Sequence, residues 1–141
     1  MKRIKQRLTR AFQLTRDLVN HLEEEDLQLK LRDLPSNTIG QQVWCLVGAR
    51  ESYLKAMENG AWAGFTCSLT TSKDRMAAVM ALEKSQVDLL AYMETEGLGD
   101  IQKDLALDLL EHEIQHHGQL IRYVYGNGLT FPKSWNDRYT V

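Results

Sequence analysis

Residues Ile4, Leu8, Ala11, Phe12, Thr15, Leu18, Val19 and Leu22 recur at steps of three and four. Such a stripe marks one amphipathic helix of about six turns that must bury a single face. Three more stretches behave alike. Thr38 followed three residues later by Gln41 is a capping box that opens a second helix, which runs to about Glu58 and stops at Asn59-Gly60. A third covers about residues 72 to 95, with Met76, Val79, Met80, Val87, Leu90 and Met93 on one side and Gly97-Leu98-Gly99 as its stop. Asp100 caps a fourth, which continues to about Tyr125 before Gly126-Asn127-Gly128. The one alternating run, "DLQLKL" at 26 to 31, has no partner strand. The expected fold is therefore all-α, a four-helix up-and-down-type bundle forming a single domain over residues 1–141.

Between the second and third helices, "GAWAGFTCSLTTS" has no helical period and reads as an irregular loop holding two buried aromatics, Trp62 and Phe65. A short tail with Phe131, Pro132 and Trp135 closes the chain. With 43% hydrophobic and 26% charged residues in 141, the chain suits one core. Its 17 basic and 19 acidic side chains leave a net charge of −2, too balanced to draw nucleic acid or an anionic membrane. No apolar run approaches the roughly 18 to 20 residues that span a bilayer. The basic opening "MKRIKQRLTRAFQLTR" reads as the first helix rather than a transit peptide, because its apolar stripe continues past the basic part. A cytoplasmic protein is expected, and two cysteines, Cys45 and Cys67, fit a reducing compartment better than a disulfide framework.

The chemistry concentrates in "HEIQHHGQL", residues 112 to 120, where three of the four histidines fall within six positions. His112-Glu113-Ile114-Gln115-His116 satisfies the H-E-x-x-H pattern of zinc proteases, but Gly118 sits one place too early for the longer motif. No histidine follows His117 and no glutamate follows Glu113, so that chemistry lacks its third ligand. A di-iron bundle fails as well, for want of a second Glu-x-x-His. On a helical wheel His112 and His116 share the apolar stripe of Leu105, Leu109, Leu120 and Tyr123, while His117 falls at its flank. Two imidazoles one turn apart on a buried face can reach one ion. Glu113 is better placed to orient a ligand than to bind metal, and is the candidate catalytic carboxylate.

A third ligand must come from another helix. In the second, Arg50, Glu51, Lys55 and Glu58 form the charged side and Cys45 lies almost opposite them. Gly48, Ala49, Ser52 and Ala56 make a small-residue surface around it, although Ile39, Val43 and Leu54 point elsewhere and leave its facing open. His21 falls off the stripe of the first helix and is expected in solvent.

The stretches "TIGQQVWCLVGARESYL", "HEIQHHGQLIRYVYGNGL" and "FPKSW" resemble the DinB/YfiT-like family of four-helix-bundle metalloenzymes over nearly the whole chain. His112, His116, Gly118 and Gln119 match the family's H-x-x-x-H followed by G-Q in the last helix. The family's second-helix histidine is replaced here by Cys45. A thiolate there completes a His2Cys site with one position open, or the exchange has removed the metal. The resemblance implies a bacterial, metal-dependent enzyme of the thiol-dependent transferase or hydrolase kind, linked to stress response. It further implies zinc or nickel as the divalent metal, a low-molecular-weight thiol, an unidentified small-molecule substrate and a homodimer. The rival is a non-catalytic dimeric bundle without metal. Trp62, Phe65 and Trp135 are candidates for a pocket wall and otherwise for core.

Overall fold

A computed structural model describes residues 1–139; the last two residues of the domain expected over 1–141 lie outside the described residues. Helix α1 covers Lys2–His21, α2 Ile39–Asn59, α3 Arg75–Tyr92, α4 Asp100–Gly126, and a short α5 Lys133–Arg138. The all-α bundle is present, and residues 26–31 form no strand. Glu24–Gln28 is a 3-10 turn that buries Leu27, and Lys30 makes one isolated antiparallel bridge to Thr38.

Capping chemistry sets most boundaries. Thr38 Oγ1 accepts the Gln41 N–H (3.1 Å) and Gln41 Oε1 accepts the Thr38 N–H (2.9 Å), the reciprocal capping box read from the sequence. Asp74 Oδ1 accepts the Ala77 N–H (3.0 Å), so α3 begins at Arg75 rather than at residue 72. Gly99, not Asp100, occupies the cap of α4, its N–H donated to Gln102 Oε1 (3.0 Å).

Pairing between helices gives their directions. Lys5 meets Glu94 and Arg16 meets Glu83, so α1 and α3 are antiparallel. Leu8 and Phe12 pack with Ala106 and Leu109, and Leu18 with Leu120, so α1 and α4 are parallel. By the same reading α2 runs parallel to α3, with Val43 and Val47 against Ala78 and Leu82, and antiparallel to α4. The order is thus up, down, down, up. A parallel α2–α3 pair needs a connection long enough to return the chain the length of α2, about 30 Å at 1.5 Å per residue. Residues 60–74 do this as an extended strap. Ser52 Oγ donates to the Thr66 carbonyl and accepts its N–H (both 3.0 Å), Trp44 Nε1 donates to the Leu69 carbonyl (2.9 Å), and the Ser72 carbonyl lies against Gly40.

The strap corrects the expectation for its aromatics. Phe65 directs the tip of its ring at Gly48 beside Trp44, and Trp62 packs on Tyr53, yet they remain 41% and 51% exposed. A single-layer strap has only solvent above it. On α3 the buried set is Ala78, Leu82, Ser85 and Leu89, while Met76, Met80 and Val87 face water. Trp135 is the aromatic that enters the core, fully buried with its Nε1 donating to the Leu14 carbonyl (2.6 Å). A Cβ on Gly40 would stand 1.8 Å from the Ser72 carbonyl oxygen and 2.9 Å from that of Leu27. Both neighbours are backbone, so Gly40→Ala is expected to cost about 1–3 kcal/mol in urea unfolding as strap and turn are pushed off α2. An unchanged midpoint would show that they yield freely.

Candidate metal centre

The antiparallel packing of α2 on α4 brings two rungs of side chains together. Gln42 and Cys45, three residues apart on α2, face His116 and His112, four apart on α4. Cys45 Sγ lies 3.7 Å from His112 Nε2, and His112 Nε2 lies 3.2 Å from His116 Nε2. All three donor atoms fall within 4.8 Å of one another. In a tetrahedral zinc site, bonds of about 2.0–2.1 Å to nitrogen and about 2.3 Å to sulfur set the ligands about 3.3 Å apart for N···N and about 3.6 Å for N···S. The two separations through His112 fit that donor set, and the third lies within 4.8 Å.

The protonation states suit it as well. His116 Nδ1 is hydrogen-bonded to Gln42 Oε1. An amide oxygen only accepts, so Nδ1 carries the proton and Nε2 turns its lone pair toward His112 and Cys45. Burial, then the neighbouring His112, lowers the His116 pKa to about 4. Burial lowers His112 too, against the pull of Glu113. Both rings are therefore neutral at neutral pH, the form in which imidazole can bind a metal. Burial pushes the Cys45 thiol up, so Cys45 is a thiol unless a cation lies against it. His112 Nδ1 is buried and finds no hydrogen-bond partner among the described residues.

Glu113 faces a different set of groups. Its side chain is wholly buried on the α1 side of α4. Arg50 Nη2 donates to its Oε1 and Arg50 Nε to its Oε2 (3.2 Å), while Arg50 Nη1 donates to the Leu82 carbonyl of α3 (3.1 Å). The guanidinium stands 3.9 Å over the Phe12 ring and is wholly buried. Arg50 thus leaves the charged face that the sequence reading gave it. Thr15 Oγ1 donates to Glu113 Oε1 (2.5 Å) and therefore accepts from His117 Nε2–H (2.8 Å), leaving His117 Nδ1 to accept the Tyr139 hydroxyl (2.7 Å). Burial raises the Glu113 pKa, but Arg50 first, then His117 and Thr15, outweigh it and hold the carboxyl below its usual range. His117, expected at the flank, is fully buried, and burial lowers its pKa to about 4.

The network ties α1, α2, α3 and α4 at one level of the bundle. It fixes Glu113 between His112 and His116 without placing its oxygens on their nitrogens. Sequence reasoning placed Thr15 on the buried stripe of α1 without giving it a role, and did not single out Gln42 or Tyr139, since an isolated polar residue carries no periodic signal. His21 stands in solvent as expected, 2.9 Å from Thr130 Oγ1. Cys67 lies on the strap with Sγ donating to the Trp44 carbonyl (3.4 Å), and both cysteines are free thiols.

Among the described residues no helix is long and apolar enough to cross a membrane. No protein-family model matches the chain, and no curated protein matches it. Fold and site together define an all-helical bundle with a Cys/His/His donor set between its second and fourth helices.

Proposed function

We propose that the protein is a DinB-like metal-dependent enzyme that holds one divalent zinc or nickel ion through Cys45, His112 and His116. The observation that carries this reading is the convergence of three donors at separations suited to tetrahedral ligation, with the His116 lone pair directed inward. Three protein ligands are the pattern of catalytic rather than structural zinc, which leaves a fourth position for a reactant. A bound ion would supply Lewis acidity, lowering the pKa of a thiol or water presented to it. The chain's own residues do the rest. Neutral His112 and His116 and an ionised Cys45 give the site a net charge of +1 with a divalent ion, which favours an anionic thiolate reactant such as a low-molecular-weight thiol. Arg50 and Thr15 fix Glu113, and with it the register of the helix that carries both histidines.

The second reading, a non-catalytic bundle of the same kind, is favoured by one observation: among the described residues no cationic group opposes the burial that raises the Cys45 thiol. Elemental analysis of untagged protein separates the two. Stoichiometric zinc or nickel in the native chain, lost in His116→Ala and kept or tightened in Cys45→His, is the expected result. A native chain that stays metal-free after incubation with either ion would leave only the non-catalytic bundle.

A further inference from the structure

Gln42 sits in the first turn of α2, 4% exposed, and its amide is used at both ends. Oε1 takes the Nδ1 proton of His116, and Nε2 donates to Asn37 Oδ1 (3.1 Å). The same Asn37 oxygen accepts the Tyr123 hydroxyl (2.5 Å), and Tyr123 lies two turns beyond His116 on α4. The donors thus run in one sense, from Tyr123 and Gln42 onto Asn37 and from His116 onto Gln42. With Asn37 Oδ1 saturated by two donors, Gln42 cannot reverse its amide without setting two oxygens against each other. Reversal would also put an N–H on His116 Nδ1, move the ring proton to Nε2 and abolish the lone pair that faces Cys45 and His112. His112 has no such restraint, because its Nδ1 finds no partner among the described residues.

We infer that Gln42, oriented by Asn37 and Tyr123, is the positioning residue of the metal centre: it fixes the tautomer and ring plane of His116 and makes this histidine the preformed ligand. The inference rests on the proposed metal reading. It assigns the two histidines unequal parts, His116 held ready and His112 set by the ion itself. Hydrogen bonds to the far nitrogen of a ligand histidine are worth about 10–100-fold in metal affinity.

The test is cobalt(II) titration of wild-type protein, Gln42→Leu, Gln42→Glu and Tyr123→Phe, reading affinity and the visible absorption of the bound ion. The unfolding of each metal-free chain is followed in parallel. Gln42→Leu is expected to lose about 10–100-fold in affinity, with a shifted spectrum. Gln42→Glu, which still accepts the Nδ1 proton but sets its second oxygen against Asn37 Oδ1, recovers part of the loss. A residue of merely structural importance would show no such recovery, and its affinity would follow stability across the series. Should Gln42→Leu fail to fold, Tyr123→Phe carries the test, since it removes only the hydroxyl that saturates Asn37. Its affinity is expected to fall less, in the same direction. Wild-type affinity and spectrum in the folded Leu variant, or in Tyr123→Phe where Leu does not fold, would overturn the role given to Gln42 while leaving the metal site intact. A wild-type chain that binds no cobalt would overturn the metal reading itself, and this inference with it.

Discussion

Replacing Glu113 with alanine is expected to destabilise the metal-free bundle by about 3–5 kcal/mol, the cost of leaving a buried charge without its partner. The charge is the Arg50 guanidinium, which has no solvent exposure and whose remaining contacts are the Leu82 carbonyl and the face of Phe12. Neither neutralises it. Glu113→Gln is expected to cost less, because an amide oxygen keeps one acceptor for Arg50 or Thr15, though the cation stays unpaired. The informative comparison is the double variant Arg50→Met, Glu113→Leu. Removing both charges together also removes the desolvation that opposes the pair, so stability should return most of the way to wild type. Thr15 then turns its hydroxyl to the Ala11 carbonyl, already 3.3 Å away, and still accepts from His117. Urea midpoints of the three variants test this. If Glu113→Ala loses less than about 1 kcal/mol, in the range of an exposed pair, water reaches Arg50 and the burial assigned to the network is wrong.

That network also shows where the sequence stops being informative. Periodicity identified four long helices, though on α3 it chose the wrong face: Met76, Met80 and Val87 stand in water and the smaller Ala78, Ser85 and their neighbours are buried. The Thr38–Gln41 box fixed the start of α2, since a capping box acts within four residues. His112 and His116 were legible for the same reason, a shared face one turn apart, whereas Cys45 was legible only in part: it lies opposite Glu51, Lys55 and Glu58, but Ile39, Val43 and Leu54 left its facing open. Arg50 was not. It lies at the edge of the charged sector of α2, and only its pairing with Glu113, 63 residues away, turns it into a core residue. A wheel treats each helix alone, so a charge that is neutralised across an interface looks like a charge bound for solvent. The up-down-down-up order was hidden for a similar reason, because helix direction depends on how residues 60–74 lie and not on any periodic signal. Trp62 and Phe65 misled through size: their apolar area suggested burial, but the strap that carries them has nothing packed above it.

Acid should unfold this bundle earlier than its carboxylates alone would require. With metal removed by chelation, His117 has a folded pKa of about 4 against an unfolded value of about 6.5. Between those values the unfolded chain binds a proton that the folded chain refuses, so stability is present in full above pH 6.5 and is lost as pH falls toward 4. One such histidine accounts for about 3 kcal/mol over that window at 1.36 kcal/mol per unit. His116 and His112 are lowered too and act in the same direction. Glu113, held below its usual range, adds a further loss only as pH falls below the value of the unfolded carboxyl. No term among these compensates another. Urea unfolding at a series of pH values from 7.5 to 4.5 should therefore show a midpoint that is level down to about pH 6.5 and falls below it. His117→Gln, which keeps a donor for Thr15 Oγ1, should be less stable at pH 7.5 but should flatten the slope by up to about 1.4 kcal/mol per pH unit. A wild-type midpoint constant from pH 7 to 5 would mean that His117 accepts its proton within the fold. The Tyr139 hydroxyl would then have to accept from His117 Nδ1–H, while Thr15 still accepts from Nε2–H and donates to Glu113.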